Sequence, residues 1–473
     1  MGDGEGPREA CGLFGVWAPG EDISRLIYFG LFALQHRGQE SAGMAVSDLR
    51  NILVYRELGL VAQVFDEATL STLQGDLGIG HTRYSTTGST TWENAQPSFK
   101  TDGTRGLALG HNGNLVNTRR LAEETGRDGR PSGRSTTDSD LVASMIAAQI
   151  EDGVEEAALR ALPRLEGAFS FLFMDERTVF AARDPHGLRP LAIGKLPGGF
   201  CFASETAALD IVGATYVREV EPGELVMVDD RGLRSRRFAE SPRKALCLFE
   251  FAYLARADSR LYGRTVHLAR VEMGARLARQ SPVEADMVVP VPDTADSAAQ
   301  GFAAAAGIPY GEGLMKNRYV GRTFIQPAPS LRQRGVKLKL NPMPDAVRGK
   351  RLVIVDDSIV RGTTTRQIVQ ILREAGAAAI HLRITSPPIR WPCFYGIDMS
   401  TRQELVASDL SVEEVREFVG ADSLAYLELE DLVEATGSRS GEFCRACFDG
   451  YYPVPIPEQE PTKLLLEQPA SGQ

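Results

Sequence analysis

The chain has 473 residues, 43% hydrophobic and 24% charged, with a formal net charge of −10. That length holds two or three domains around a large core, and the acidic balance excludes a general nucleic-acid binder. No apolar run reaches the roughly 18 residues a membrane-spanning helix needs, and six cysteines in so long a chain do not make a disulfide scaffold.

Residues 1–10, MGDGEGPREA, are acidic and Gly-rich with no apolar h-region. They are not a secretory signal, so a reducing, cytoplasmic setting is expected. Cys11 then opens CGLFGVW, followed by QHRGQESAG (Gln35–Gly43), GHTRYSTTG (Gly80–Gly88), GHNGNL (Gly110–Leu115) and STTDSDL (Ser135–Leu141). Each joins Gly turns and polar side chains to a short apolar run, which is how a pocket is built from strand ends and loops. On the residues alone, a lone Cys such as Cys11 is more often a small buried hydrophobe than a nucleophile. Asp138, ahead of LVASMIAAQI, reads equally as a helix N-cap, with Asp140 as its neighbour. From Gly167 to Asp229 the runs AFSFLFMD, TVFAARD, LAIGKL, FCFASE and ELVMVDD read as a β-meander, with His186 in a loop and Cys201 in the core.

A polar stretch, Phe238–Lys244, marks a domain boundary. Met287–Gly307 reads as strand, turn and Ala-rich helix, with Thr294 a candidate helix cap. Gly313–Pro342 is long and rich in Lys, Arg, Gly and Pro. Lys316, Arg318 and Lys337 are its candidates for an anionic ligand, the alternative being a solvated basic loop. Arg351–Thr365, RLVIVDDSIVRGTTT, is the most informative stretch. A buried strand, Leu352–Val355, delivers Asp356 and Asp357 to a hydroxyl-rich turn, Ser358–Thr364, and then to a helix closed by Gly376. Helix N–H groups, the helix dipole and Thr hydroxyls suit a phosphate, and the acids suit ribose hydroxyls or Mg²⁺. A strand–turn–helix with a solvated acidic end is the plain alternative. No Walker P-loop and no G-x-G-x-x-G opening a helix is present. Cys444 and Cys447 form a C-x-x-C, to which Cys247 and Cys393 add two further thiols. Four thiolates suit Zn²⁺ or an iron–sulfur cluster, and four unconnected cysteines are the alternative.

VIVDDSIVRGTT resembles the phosphoribosyl-diphosphate (PRPP) loop of type I phosphoribosyltransferases, and the N-terminal constellation resembles class II glutamine amidotransferases, a branch of the N-terminal-nucleophile (Ntn) hydrolases. The two in this order, over about residues 11–450, resemble the iron–sulfur subclass of the glutamine PRPP amidotransferases. The resemblance implies a four-layer αββα Ntn-hydrolase sandwich at 11–240 and a doubly wound parallel α/β phosphoribosyltransferase domain at 245–437. A leader at 1–10, a cluster-binding segment at 438–454 and a disordered tail at 455–473 complete the division.

For the glutaminase it implies Cys11 as nucleophile, with its own α-amine as base once the leader is cleaved. Asn112 and Gly113 would form the oxyanion hole, and Arg37, Gly38, Arg83 and Asp138 would bind glutamine. For PRPP it implies Asp356, Asp357, Ser358, Ile359, Val360, Arg361, Gly362, Thr363 and Thr364, with Lys316, Arg318 and Lys337 from a lid. One Mg²⁺ per subunit would lie near Thr294, Asp356 and Asp357, and a structural [4Fe–4S] cluster would sit on Cys247, Cys393, Cys444 and Cys447. The implied activity is synthesis of 5-phosphoribosylamine by a homotetramer inhibited by AMP and GMP, with no nucleic-acid or membrane partner. A non-catalytic PRPP-sensing regulator is the alternative, although such a protein has no use for Cys11, Arg83 and Asn112.

Overall fold

The computed structural model describes residues 10–84, 89–101, 103, 105–124, 135–317, 340–399 and 401–457. Within these, one compact unit comprises 10–247, 393–399 and 452–457, and the other comprises 248–317, 340–392 and 401–451.

The first unit is built on two antiparallel sheets. One runs, edge to edge, Thr215–Glu219, Ala192–Leu196, Gly199–Ala203, Gly12–Trp17, Leu77–Arg83, Ser41–Ser47 and Ile52–Leu58. The other runs Gly232–Arg237, Glu224–Asp229, Val179–Arg183, Gly167–Met174, Gly106–Leu115 and Ser98–Thr101. Alternation along each strand assigns the layers. Phe14 and Val16 pack outward on Ile23, Ile27 and Leu31 of the helix Ile23–Ala33, whereas Leu13 points inward at Ala108, Leu172 and Val179 of the second sheet. Leu107, Leu109, Phe169 and Phe171 point out from that second sheet into the helices Asp138–Ala147 and Val154–Ala161. The result is helix, sheet, sheet, helix, the expected four-layer sandwich. Gly30 lets the first helix sink onto its sheet, since a Cβ there would stand 2.3 Å from the Phe14 ring.

The expected meander is not one sheet. Gly167–Met174, Val179–Arg183 and Glu224–Asp229 lie in the second sheet, but Ala192–Leu196 and Gly199–Ala203 cross to the first. Alternation says which side chains are buried, not which sheet a strand joins. The crossing is set by polar groups in the turn between them. Asp184 accepts the N–H groups of Phe169, His186 and Leu188, and Arg183 donates to the carbonyls of Gly187 and Arg189. Burial pushes the Asp184 carboxyl up to about 6, against the pull of Arg183 and of those N–H donors. Cys201 is fully buried in its strand, with its thiol pushed up to about 12 by burial.

The second unit carries a parallel sheet in the order Met287–Pro290, Arg351–Asp356, Ala379–Ile384 and Ser423–Tyr426. Helices Asp296–Ala306, Thr363–Glu374 and Val412–Val419 follow successive strands, and Gly307, Gly376 and Gly420, all with positive φ, come after their last turns. The carboxyl ends of these parallel strands therefore share one edge. At the two ends of the expected long loop, Leu314–Lys316 and Leu340–Pro342 pair as an antiparallel ribbon, and residues 318–339 lie outside the described residues.

Candidate active sites

The register of the first sheet sets Gly12 opposite Thr82 and Leu13 opposite His81, so Cys11 meets the Arg83–Tyr84 end of the neighbouring strand. The Cys11 thiol donates to the Tyr84 carbonyl at 3.3 Å, and its Sγ accepts the Tyr84 N–H at 3.4 Å. Burial pushes the thiol up to about 11. The Tyr84 bond and Arg83 pull it down, and Glu40 and Asp138 push it up. The Cys11 thiol is thus protonated at neutral pH. Those same charges show that Arg83 and Asp138, far apart in sequence, converge on Cys11.

Arg83 is buried, 3.7 Å from the Glu40 carboxylate, and donates to the Ser89 carbonyl. Asp138 is not the cap of its helix. Thr137 is, accepting the Asp140 N–H, and this leaves Asp138 to accept the N–H groups of Leu115 and Ser139 at 3.1 and 2.8 Å. Burial pushes the Asp138 carboxyl up, but His111, 3.6 Å away, and those N–H donors outweigh it and hold it below the usual range. Asp140 is engaged elsewhere, with Lys100. His111 was not singled out from the sequence. Its signal was only its place inside GHNGNL, and its partner Asp138 lies 27 positions on.

Asn112 lies mid-strand opposite Ser170 and is fully buried, yet among the described residues neither its amide nitrogen nor its amide oxygen has a hydrogen-bond partner. Leaving such a group unsatisfied costs about 1–3 kcal/mol. Gly113 follows with φ +147°, and a Cβ there would stand 2.1 Å from the Ala168 carbonyl oxygen. Arg37 is fully buried and donates to the Cys11 carbonyl at 3.3 Å and to Glu205 at 2.5 Å. Gly38 packs on the Thr82 carbonyl, 2.5 Å from where its Cβ would be.

In the second unit, the strand Arg351–Asp356 delivers Asp356 and Asp357 to the sheet edge, both buried. Burial, then the adjacent Asp357 charge, raises the Asp356 carboxyl well above its ordinary value. Asp357 accepts the Ser358 hydroxyl at 2.6 Å. Ile359 and Val360 turn into the core, Gly362 adopts φ +74°, and the helix Thr363–Glu374 begins with its first Thr residues at the surface. Its N–H groups are thereby presented to an anion. Arg361 is held by Glu404. Lys316 pairs with Asp293, and Arg318 and Lys337 lie outside the described residues. Thr294 does not cap its helix, because Ala295 occupies that position.

Among the described residues, no three His, Cys, Asp or Glu side chains gather as a ready metal group. Asp356 and Asp357 still fit Mg²⁺, which commonly takes one or two carboxylates plus substrate phosphates. Of the four candidate cluster cysteines, Cys444 and Cys447 belong to one unit and Cys247 and Cys393 to the other, and none forms a disulfide. Cys393 Sγ accepts the Tyr395 N–H at 3.4 Å, a bond that suits a thiolate ligand.

Residues 81–210 match the family described as a glutamine amidotransferase domain. The amidophosphoribosyltransferase of Mycobacterium tuberculosis (strain ATCC 25618 / H37Rv) is 56% identical over 464 residues, 96% of this chain and 88% of that protein. A solved structure described as the allosteric regulatory enzyme of purine biosynthesis aligns with TM-score 0.91 and 45% identity, covering 98% of this chain and 100% of that one. The glutamine PRPP amidotransferase from B. subtilis, solved in complex with ADP and GMP, aligns with TM-score 0.90 and 46% identity, covering 97% and 100%. By this likeness along nearly its whole length, the chain belongs to the amidophosphoribosyltransferase family.

Proposed function

We propose that the two sites run one reaction in two halves, making 5-phosphoribosylamine from PRPP and glutamine-derived ammonia with release of pyrophosphate and glutamate. This is the first committed step of de novo purine synthesis. The unpartnered, buried Asn112 amide, in the unit that also buries the Cys11 thiol, is the observation that carries the glutaminase half.

Cys11 attacks the carboxamide carbon of glutamine. The electron pair moves to the carbonyl oxygen, which the Asn112 amide and the Gly113 N–H receive. The thiol proton passes to the base and on to the leaving ammonia, and water then cleaves the thioester to glutamate. Arg83 takes the α-carboxylate, displacing Glu40, and Asp138 takes the α-ammonium. The α-amine of Cys11 serves as base after removal of residues 1–10. In the other half, the Ser358–Thr364 turn and the helix start hold the 5′-phosphate, and Asp356 and Asp357 hold the ribose while C1 loses pyrophosphate to ammonia. Mg²⁺ bound near Asp356 and Asp357 would neutralise the leaving diphosphate.

Four further elements belong to this proposal on the family resemblance. They are a [4Fe–4S] cluster on Cys247, Cys393, Cys444 and Cys447, inhibition by AMP and GMP, assembly as a tetramer, and cytoplasmic residence. No described helix is long and apolar enough to cross a membrane.

The test is pyrophosphate release from PRPP and Mg²⁺ under anaerobic conditions, with glutamine or ammonia as donor, on protein of known intact mass and iron content. Release with both donors from chain beginning at Cys11 is expected, and Cys11→Ala should abolish only the glutamine-dependent rate. Release with neither donor, from processed and iron-replete protein, sinks the proposal.

A further inference from the structure

One charged group beside the nucleophile has no role in the chemistry above. Glu205 follows the strand Gly199–Ala203 and is fully buried, as is its partner Arg37. A buried ion pair is a poor source of stability, since apolar side chains of the same volume commonly serve as well. This one is tied to a particular atom. Arg37 Nη1 donates to Glu205 Oε1 at 2.5 Å, and its Nε donates to the backbone carbonyl of Cys11 at 3.3 Å. His36 Nε2 lies 2.7 Å from the same Glu205 oxygen, so both residues of the His36–Arg37 turn are held by one carboxylate. The preceding Ser204 grips the next link. Its Oγ accepts the Leu13 N–H at 3.0 Å, and its own N–H donates to the Leu13 carbonyl at 3.0 Å.

Residue 11 carries both the thiol and, once it begins the chain, the α-amine. A chain end frays unless it is tied down. Two ties are visible here: the Tyr84 peptide on the thiol and Arg37 on the carbonyl. We propose that Glu205 is a positioning residue for the glutaminase half-reaction: its carboxylate orients Arg37 so that the guanidinium clamps the Cys11 carbonyl and keeps the thiol and α-amine aligned for attack. Without that charge, the Arg37 guanidinium loses the carboxylate that fixes its orientation, and its bond to the Cys11 carbonyl loosens. The inference rests on the amidotransferase reading above and extends it to a residue that touches no substrate.

The test is Glu205→Gln, which keeps the shape and removes the charge. Misalignment of reacting groups by about 1 Å costs up to roughly a hundredfold in rate. The glutamine-dependent kcat is therefore expected to fall about 10- to 100-fold, with KM for glutamine changed by no more than about twofold, since Arg83 and Asp138 are untouched. Ammonia-dependent turnover should be unchanged. Alkylation of Cys11 by iodoacetamide should slow in parallel, and Glu205→Asp should recover part of the rate. Ser204→Ala separates the charge from the packing of the corner and is expected to cost much less. An unchanged glutamine-dependent kcat, a change confined to KM, or an equal loss in Ser204→Ala would each overturn the proposal. Should Glu205→Gln fail to fold, Arg37→Lys decides, because an ammonium lacks the fork that spans carboxylate and carbonyl. It must show the same fall in glutamine-dependent kcat, and an unchanged value refutes the clamp. A wild-type enzyme without glutamine-dependent turnover would instead sink the amidotransferase reading, before any variant is compared.

Discussion

At the residue scale, both sites hold groups that the fold leaves under-satisfied, and this predicts how stability and activity trade off. Asn112 is buried with an unpartnered amide, so Asn112→Leu should leave stability unchanged or raise it. If Asn112 receives the oxyanion as proposed, the same variant should lower glutamine-dependent kcat by roughly 10²–10³-fold, the usual cost of losing such a donor. Steady-state kinetics beside a denaturant titration check both halves of that statement. Asp356 makes the parallel case in the second unit. Its carboxyl is raised, first by burial and then by Asp357, so the folded state resists its ionisation. A group of this kind leaves stability intact below the unfolded carboxyl value near pH 4 and lowers it as pH rises from there towards the raised folded value. Asp356→Asn removes that loss. The variant should therefore melt higher than wild type at pH 7, with the gap closing as pH falls towards 4, while PRPP turnover disappears. A lower melting temperature at pH 7 would contradict this account.

At the element scale, glycines decide how closely the backbones pack. Helices Val266–Gln280 and Asp296–Ala306 touch through Gly274 and Gly301. A Cβ on Gly274 would stand 1.8 Å from the Ala298 carbonyl oxygen, and one on Gly301 would stand 1.9 Å from that of Val271. Backbone cannot rotate away as a side chain can, so Gly274→Ala and Gly301→Ala should each destabilise by about 1–3 kcal/mol despite the better helix propensity of Ala. Urea unfolding midpoints would show it. The strand–turn–helix from Arg351 to Glu374 was legible in the sequence because its determinants are local: a β-branched run, two acids, a Gly and an amphipathic period. The strands from Gly167 to Asp229 were equally legible, but their division between two sheets was not, since that depends on Asp184 and Arg183 bonding across the turn.

At the scale of the whole molecule, the first unit is not continuous in sequence. It recruits 393–399, where the Phe394 carbonyl accepts from Asn114 at 3.0 Å and the Tyr395 carbonyl accepts from Arg189 at 2.8 Å. Gly396, with φ +98°, lies against the backbone of Gly113. A chain ending at Cys247 removes those acceptors from two buried side chains. It should unfold with lower cooperativity than the full chain and show little glutaminase activity, measurable by calorimetry and glutamate release. The sequence by itself determined the local pieces: which stretches are strands and helices, a hydroxyl-rich turn after Val355 leading into a helix, and the polar motifs that begin at Cys11. Spacing along the chain carries that information, because secondary structure and turns arise from neighbours a few residues apart. Only the tertiary structure decided that Asp138 pairs with His111 rather than capping its helix, that Glu205 holds Arg37 beside Cys11, that Asn112 is left with nothing to bind, and that a segment past residue 390 joins the glutaminase unit. Those outcomes depend on burial and on partners tens to hundreds of residues away, and no local pattern encodes which distant group will supply the missing hydrogen bond.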